Sequence, residues 1–167
     1  MKKTLYFDTS AVVKEFSREI GSDLIDKLTT KAREGIIQIV SSVWAINESI
    51  AVIDRKFRKG ELNQIEVQTI IATFAERVKS SSETSNFRFA YLDHKIVSES
   101  RFLINELHIS PDDALHLYTC WSCDCQYFVI HDKKIVSNLK SQEYQDFEIV
   151  DLGNEQDRIN LESKLEL

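Results

Sequence analysis

The chain has 167 residues, 43% of them hydrophobic and 29% charged, with four glycines and one proline. That length suits one ordinary domain with a real core, and the balance excludes a disordered chain, a low-complexity repeat and a membrane span. A net charge of −6 with a pI near 5.3 excludes binding to nucleic acid through a broad basic face, which goes with a pI above ~9.

The opening residues carry two lysines, but Asp8 interrupts the apolar stretch too early for a signal peptide, so a cytoplasmic location is expected. Residues 3–8 (KTLYFD) read as a short buried strand ending on an aspartate, and a short helix follows from Ser10. Residues 21–35 have the period of an amphipathic helix closed by Gly35. The β-branched run 36–40 is a strand, and 41–60 is a helix opened by serine caps and ended by a basic turn and Gly60. A further helix spans 63–80, starting at Asn63 and carrying Ile65, Val67, Ile70, Ile71, Phe74 and Val78.

Residues 87–93 are a third strand and 94–109 another helix, after which Pro111 opens a helix through DDALHLYTCWSC. Strand four is 126–131, ended by Asp132 and followed by a short helix; strand five is 147–152. The tail from Asn154 reads as helical, with Ile159, Leu161 and Leu165 as apolar anchors. This alternation predicts a three-layer α/β/α sandwich around a central, parallel, twisted sheet of about five strands. Ligands of such sheets sit beyond the carboxyl ends of the strands.

Cys120, Cys123 and Cys125 form an odd, tight cluster unlike a secreted disulfide framework. Adding His116 gives no common zinc spacing, so free thiols, buried or half-buried, are expected.

Four acids have the right places to converge. Asp8 and Asp132 each follow a strand, while Glu48 and Asp113 lie on helices able to enter from the same end. Each has a plainer explanation. Asp8 and Asp132 would serve as helix caps, and Asp112 or Asp113 would be favoured at a helix start by ~0.3–1 kcal/mol. Glu48 is harder to explain away. Its helical neighbours Trp44, Ala45, Ala51 and Val52 are apolar, and Arg55 is the cation along that face. A buried carboxylate needs compensation, and a divalent cation is the economical one. Clustered carboxylates without a histidine pair suit magnesium better than zinc.

With these segments in hand, YFDTSAVVK (6–14), SSVWAINES (41–49), SPDDALHLYTC (110–120) and YFVIHDKKI (127–135), the sequence resembles the PIN-domain nucleases, and among them the VapC-like toxins of prokaryotic toxin–antitoxin pairs. The resemblance runs from the first strand to the fifth, giving a nuclease domain over 1–153 with 154–167 as a tail of the same domain. It implies a ribonuclease hydrolysing RNA phosphodiester bonds with Mg²⁺ or Mn²⁺, one or two ions, held by the catalytic and metal-binding Asp8, Glu48, Asp113 and Asp132. Supporting roles fall to Ser10, Asp112 and His116, the last beside the ligands or in the core rather than as a general base. Candidate phosphate-binding cations are Lys14, Arg55, Lys56, Arg58, Lys59, Lys133 and Lys134, although the basic run 55–59 also suits a helix C-terminus. A homodimer and a small antitoxin inserting an Arg or Lys among the acids are the implied partners. Many relatives carry a further acid where this chain has Ile135, and the doubled Asp112–Asp113 leaves two aspartates to choose between. Competing readings are a processing nuclease without an antitoxin and a PIN-like module that binds RNA or protein without cutting. An aspartyl-phosphate hydrolase needs a second Asp where Ser10 stands.

Overall fold

Alternation along β1 (Lys3–Phe7) decides the architecture: Leu5 and Phe7 point to one face, Tyr6 to the other, and all three are fully buried. A strand covered on both faces needs helices above and below. The computed structural model, which describes residues 2–81, 85–140 and 146–167, supplies them. Five parallel strands, β1 with β2 (Ile37–Ser42), β3 (Phe87–Ala90), β4 (Tyr127–Ile130) and β5 (Glu148–Asp151), form one sheet in the order β3-β2-β1-β4-β5. Tyr6 aligns with Val40 on one side and Phe128 on the other.

Two cores follow from that alternation. Leu5, Phe7, Ile39 and Val129 pack against α1 (Thr9–Val13), α2 (Ser22–Arg33), Ile53 of α3 (Val43–Arg58), Ile70 and Phe74 of α4 (Gln64–Ser80), and Leu161 and Leu165 of α8 (Glu155–Leu165). Tyr6, Val40, Phe128 and Ile130 pack against α5 (His94–Leu107), α6 (Pro111–Ser122) and α7 (Lys133–Lys140). The chain is thus an α/β/α sandwich, as expected. Cys120 and Cys125 are buried in the second core and Cys123 is half-buried; all three are free. No described helix is long and apolar enough to cross a membrane.

The elements start and stop for local reasons. Asn63 and Glu66 form a reciprocal capping box at the start of α4, each side chain accepting from the other's backbone N–H. Gly21, at φ 89°, lets the start of α2 pass Leu152, whose Cβ would lie 2.9 Å from any added methyl carbon. The structure also departs from the sequence expectation in places. Only Ile70 and Phe74 of α4 are buried, whereas Ile65, Ile71 and Val78 lie open, and Ile159 of α8 is half exposed. Strand β3 ends at Ala90, three residues early, because Asp93 turns the chain by capping α5.

Candidate active site

At the carboxyl rim of β1 and β4 lies a cleft of about 540 Å³ whose walls include Asp8, Glu48, Asp113 and Asp132. Asp8 keeps an extended backbone (φ −64°, ψ 165°), and its Oδ2 accepts from Ser10 N at 3.0 Å and Ser10 Oγ at 2.9 Å, capping α1. Ser10 Oγ in turn accepts from His131 N at 2.8 Å, tying the end of β4 to the start of α1. Asp113 is the third residue of α6; its Oδ2 accepts from Ser110 Oγ at 2.6 Å and, at 3.3 Å, from Ser110 N. Asp132 Oδ1 caps α7 through the Lys134 and Ile135 N–H groups at 2.9 and 3.1 Å. Glu48 Oε2 accepts from Thr9 Oγ1 and, at 2.6 Å, from His116 Nε2.

The capping and fold-holding contacts of these acids leave room for a second task. A carboxylate offers about four acceptor positions on two oxygens. Each of these acids spends one oxygen on the fold, and among the described residues the other oxygen (Asp8 Oδ1, Glu48 Oε1, Asp113 Oδ1, Asp132 Oδ2) accepts no hydrogen bond.

The electrostatics fit close quarters. Burial raises the Asp113 pKa, and the charges of Asp8 and Asp132 raise it further against the Ser110 hydrogen bond. Burial also pushes against ionised Glu48, yet His116 and Thr9 hold its carboxyl below the usual range. His116 is buried, which disfavours its charge, but Glu48, Asp8 and Asp113 bring its pKa above the ordinary value. Its ring is held at both ends: Nδ1 faces Tyr6 Oη at 2.8 Å, Nε2 faces Glu48, and Asp8 Oδ1 lies 3.8 Å from Nε2. With Nε2–H donating to Glu48, Nδ1 is free to accept the Tyr6 O–H, so one neutral tautomer serves the two shortest contacts; Ser42 Oγ lies farther from Nδ1, at 3.4 Å, and Thr9 Oγ1 3.2 Å from Nε2.

Among the described residues no group of three His, Cys, Asp or Glu side chains is gathered closely enough to hold a metal ion as it stands. The donor chemistry nonetheless fits a hard divalent cation: carboxylates from separate elements line one cleft, each with an oxygen that accepts no hydrogen bond among the described residues, and their mutual repulsion is what such an ion offsets.

The other expected residues divide. Asp112 lines the cleft with its Oδ1 taken by Trp44 Nε1 at 3.1 Å. Arg55 lines the cleft and is exposed; Lys133 and Lys134 are exposed just past Asp132, and Lys59 is exposed at the end of α3. Arg58 pairs with Asp54 at 2.9 Å. Lys14 is buried, with Nζ 3.0 Å from Glu19, and Lys56 reaches the same carboxylate at 2.6 Å. Sequence reasoning missed Glu19, Thr9, His131 and Tyr6. Of these, Thr9 had a signal in its place beside Asp8, whereas Tyr6 lies 110 residues from His116 and had none.

Comparison with known proteins completes the picture. No curated protein matches the chain by sequence. The crystal structure of Mycobacterium tuberculosis VapC20, a sarcin–ricin loop cleaving toxin, is similar with a TM-score of 0.58 at 13% identity, covering 80% of this chain and 93% of that one. A toxin–antitoxin complex from Klebsiella pneumoniae is similar with a TM-score of 0.50 at 15% identity, covering 80% and 90%. At such identities these likenesses speak for the fold alone. The sequence itself matches the PIN domain family over residues 5–140, most of the chain and the whole span carrying the four acids, and the chain belongs to that family.

Proposed function

We propose that this chain is a divalent-metal-dependent endoribonuclease that hydrolyses RNA phosphodiester bonds as the toxin of a toxin–antitoxin pair. The observation that carries the reading is the leftover oxygen on each of four acids lining one cleft. The PIN-domain membership supports it, and so do the two similar structures, one of a toxin that cleaves the sarcin–ricin loop and the other of a toxin–antitoxin complex.

In this reading Asp8, Glu48, Asp113 and Asp132 hold one or two Mg²⁺ or Mn²⁺ ions through those oxygens. Bound there, an ion supplies Lewis-acid polarisation of the phosphoryl group and offsets the repulsion among the acids. Ser10 locks the Asp8 carboxylate, and His116 with Thr9 locks Glu48, so neither acid loses rotamer freedom when it takes up its task. Arg55 at the wall, with Lys133 and Lys134 beyond Asp132, meets the phosphate backbone; Lys14 and Lys56 are already paired with Glu19, and Lys56 with Glu61 as well. Residues 154–167 belong to the same domain, since Leu161 and Leu165 sit inside its core. The toxin works as a homodimer in the cytoplasm and is silenced by a small antitoxin that sets an Arg or Lys among the acids.

The test is cleavage of structured RNAs by purified protein with Mg²⁺ or Mn²⁺ and with chelator, beside an Asp8→Asn protein prepared identically. Metal-dependent cutting by the wild type alone is the expected result. Equal cutting by both proteins would locate the chemistry elsewhere, and silence in both would move the chain to a binding role.

A further inference from the structure

In a chain of net charge −6, Arg55, Lys133 and Lys134 are few cations with which to hold RNA against four acids. A second cleft, of about 600 Å³, runs beside the edge strand β3. Tyr91 lines it just past the end of β3, 82% exposed and more open than any other large hydrophobic side chain among the described residues. Trp121, near the end of α6, lines the same hollow at 47% exposure and is braced edge-to-face by Tyr118, 5.9 Å between centroids. Arg88 and Lys95 share the cleft, and neither pairs with a carboxylate among the described residues. Arg88 lies beside the half-buried Cys123 thiol. Two acids also border the hollow: Asp124, and Asp93, whose Oδ1 is engaged in capping α5 at Ile96 N.

We infer that this hollow is a second binding site that takes single-stranded RNA, with nucleobases stacking on Tyr91 and Trp121 and phosphates meeting Arg88 and Lys95. The inference rests on the ribonuclease reading and names where its substrate is gripped. Base stacking does not depend on net charge, so it is the form of grip open to an acidic chain that lacks a broad basic face. Helix α6 connects the two sites, since Asp113 stands at its start and Trp121 near its end, ~12 Å apart along the axis. On the sheet, the carboxyl end of β3 lies two strands from Asp8, ~10 Å away. A strand a few nucleotides long spans that distance. An extended peptide is the poorer occupant: the Phe89 N–H, which a peptide added at this edge would need, is already donated to Ser81 Oγ at 2.9 Å.

The experiment measures binding of a single-stranded oligoribonucleotide by fluorescence anisotropy, in an Asp8→Asn background to prevent cutting. Replacing Tyr91 and Trp121 together with alanine should weaken binding at least tenfold, while Tyr91→Phe with Trp121→Phe, which keeps the rings, should stay within about twofold of the parent. Arg88→Ala with Lys95→Ala should make the slope of log affinity against log salt shallower by ~1.4, the value for two phosphate contacts on a single strand. Tyr91, Trp121 and Lys95 are exposed and Arg88 is half-buried, and urea midpoints verify that each variant is folded. Alanine variants that bind like the parent, or phenylalanine variants that lose as much as the alanine ones, would overturn the site. If metal-dependent cutting by the wild type persisted in that case, the ribonuclease reading would stand with its RNA held elsewhere. Unchanged RNA affinity combined with loss of self-association would reassign the hollow to protein contact. A wild type that neither binds nor cuts RNA would remove both readings together.

Discussion

Helix α6 begins in one cleft and ends in the other, and its two ends are built on opposite lines. At the start, Ser110, Asp113 and His116 are bound to named partners at 2.6–3.3 Å, and charge is concentrated. At the end, Tyr118, Trp121 and Tyr91 line one hollow, the two acids and two cations bordering it make no ion pair among the described residues, and Tyr91 and Trp121 are open to solvent. On the proposed reading, the contrast teaches that bond-breaking and holding ask different things of one helix. The first needs donors and acceptors fixed before the substrate arrives; the second needs open, sequence-tolerant surface.

The largest expected effect breaks the first end without unfolding it. Asp8→Asn should lower RNA cleavage on the order of 10²–10³-fold, as loss of a preorganised charge does. Asparagine caps helices as well as aspartate, so the urea midpoint should hardly move, whereas Asp8→Ala should lose about 1 kcal/mol in addition. A midpoint for Asp8→Asn as low as that of the alanine variant would show that the carboxylate serves the fold alone.

Next in size is the buried support behind Glu48. His116→Gln should weaken Mn²⁺ binding, measured by calorimetry, roughly 10–100-fold, the range for groups that orient a ligand. Tyr6→Phe keeps the ring stacked on Phe128, 5.5 Å between centroids, but leaves His116 Nδ1 only the longer contact with Ser42 Oγ, at 3.4 Å. It should cost ~1–3 kcal/mol of stability and weaken the ion less than His116→Gln does. If both variants bound Mn²⁺ like the wild type, the relay would be structural only.

The smallest effect lies at the cleft's far wall. Partial burial opposes ionisation of Glu19, but the Lys56 and Lys14 ammonium groups bring its carboxyl from an ordinary 4.5 down to about 2. Because the folded pKa is the lower one, the stabilisation is fully present above pH 4.5 and fades as pH falls toward 2. Glu19 is more than a third exposed, so solvent screening limits the effect to a few tenths of a kcal/mol up to about 1. Denaturation of wild type and Glu19→Gln between pH 7 and pH 2 should show the two converging at the acid end; a constant gap would mean that the ion pairs contribute nothing.

Much of this was legible in the sequence because strand ends are. Asp8 and Asp132 follow apolar β-type runs, and the strand order of a parallel sheet brings such positions to one rim. Helical period set Glu48 apart from the solvated side of α3. What stayed hidden depends on partners remote in sequence. The compensation for Glu48 includes His116 and Thr9, side chains that no local pattern joins to it. Helix α4 shows the opposite error: its apolar positions recur with helical period, but neighbouring elements cover only Ile70 and Phe74. Tyr91 reads as strand by composition, yet the capping by Asp93 ends β3 first and turns that ring outward.

The shared duty of the carboxylates bears on how such a protein can change over generations. An aspartate that both caps a helix and faces the cleft cannot be discarded at random, because most replacements also loosen the helix behind it. Descendants that abandon cutting while keeping the fold should therefore carry Asn or Ser, seldom Ala or Leu, where Asp8 and Asp132 now stand. The residues in those two places would then record whether a relative retired from chemistry under selection for its shape.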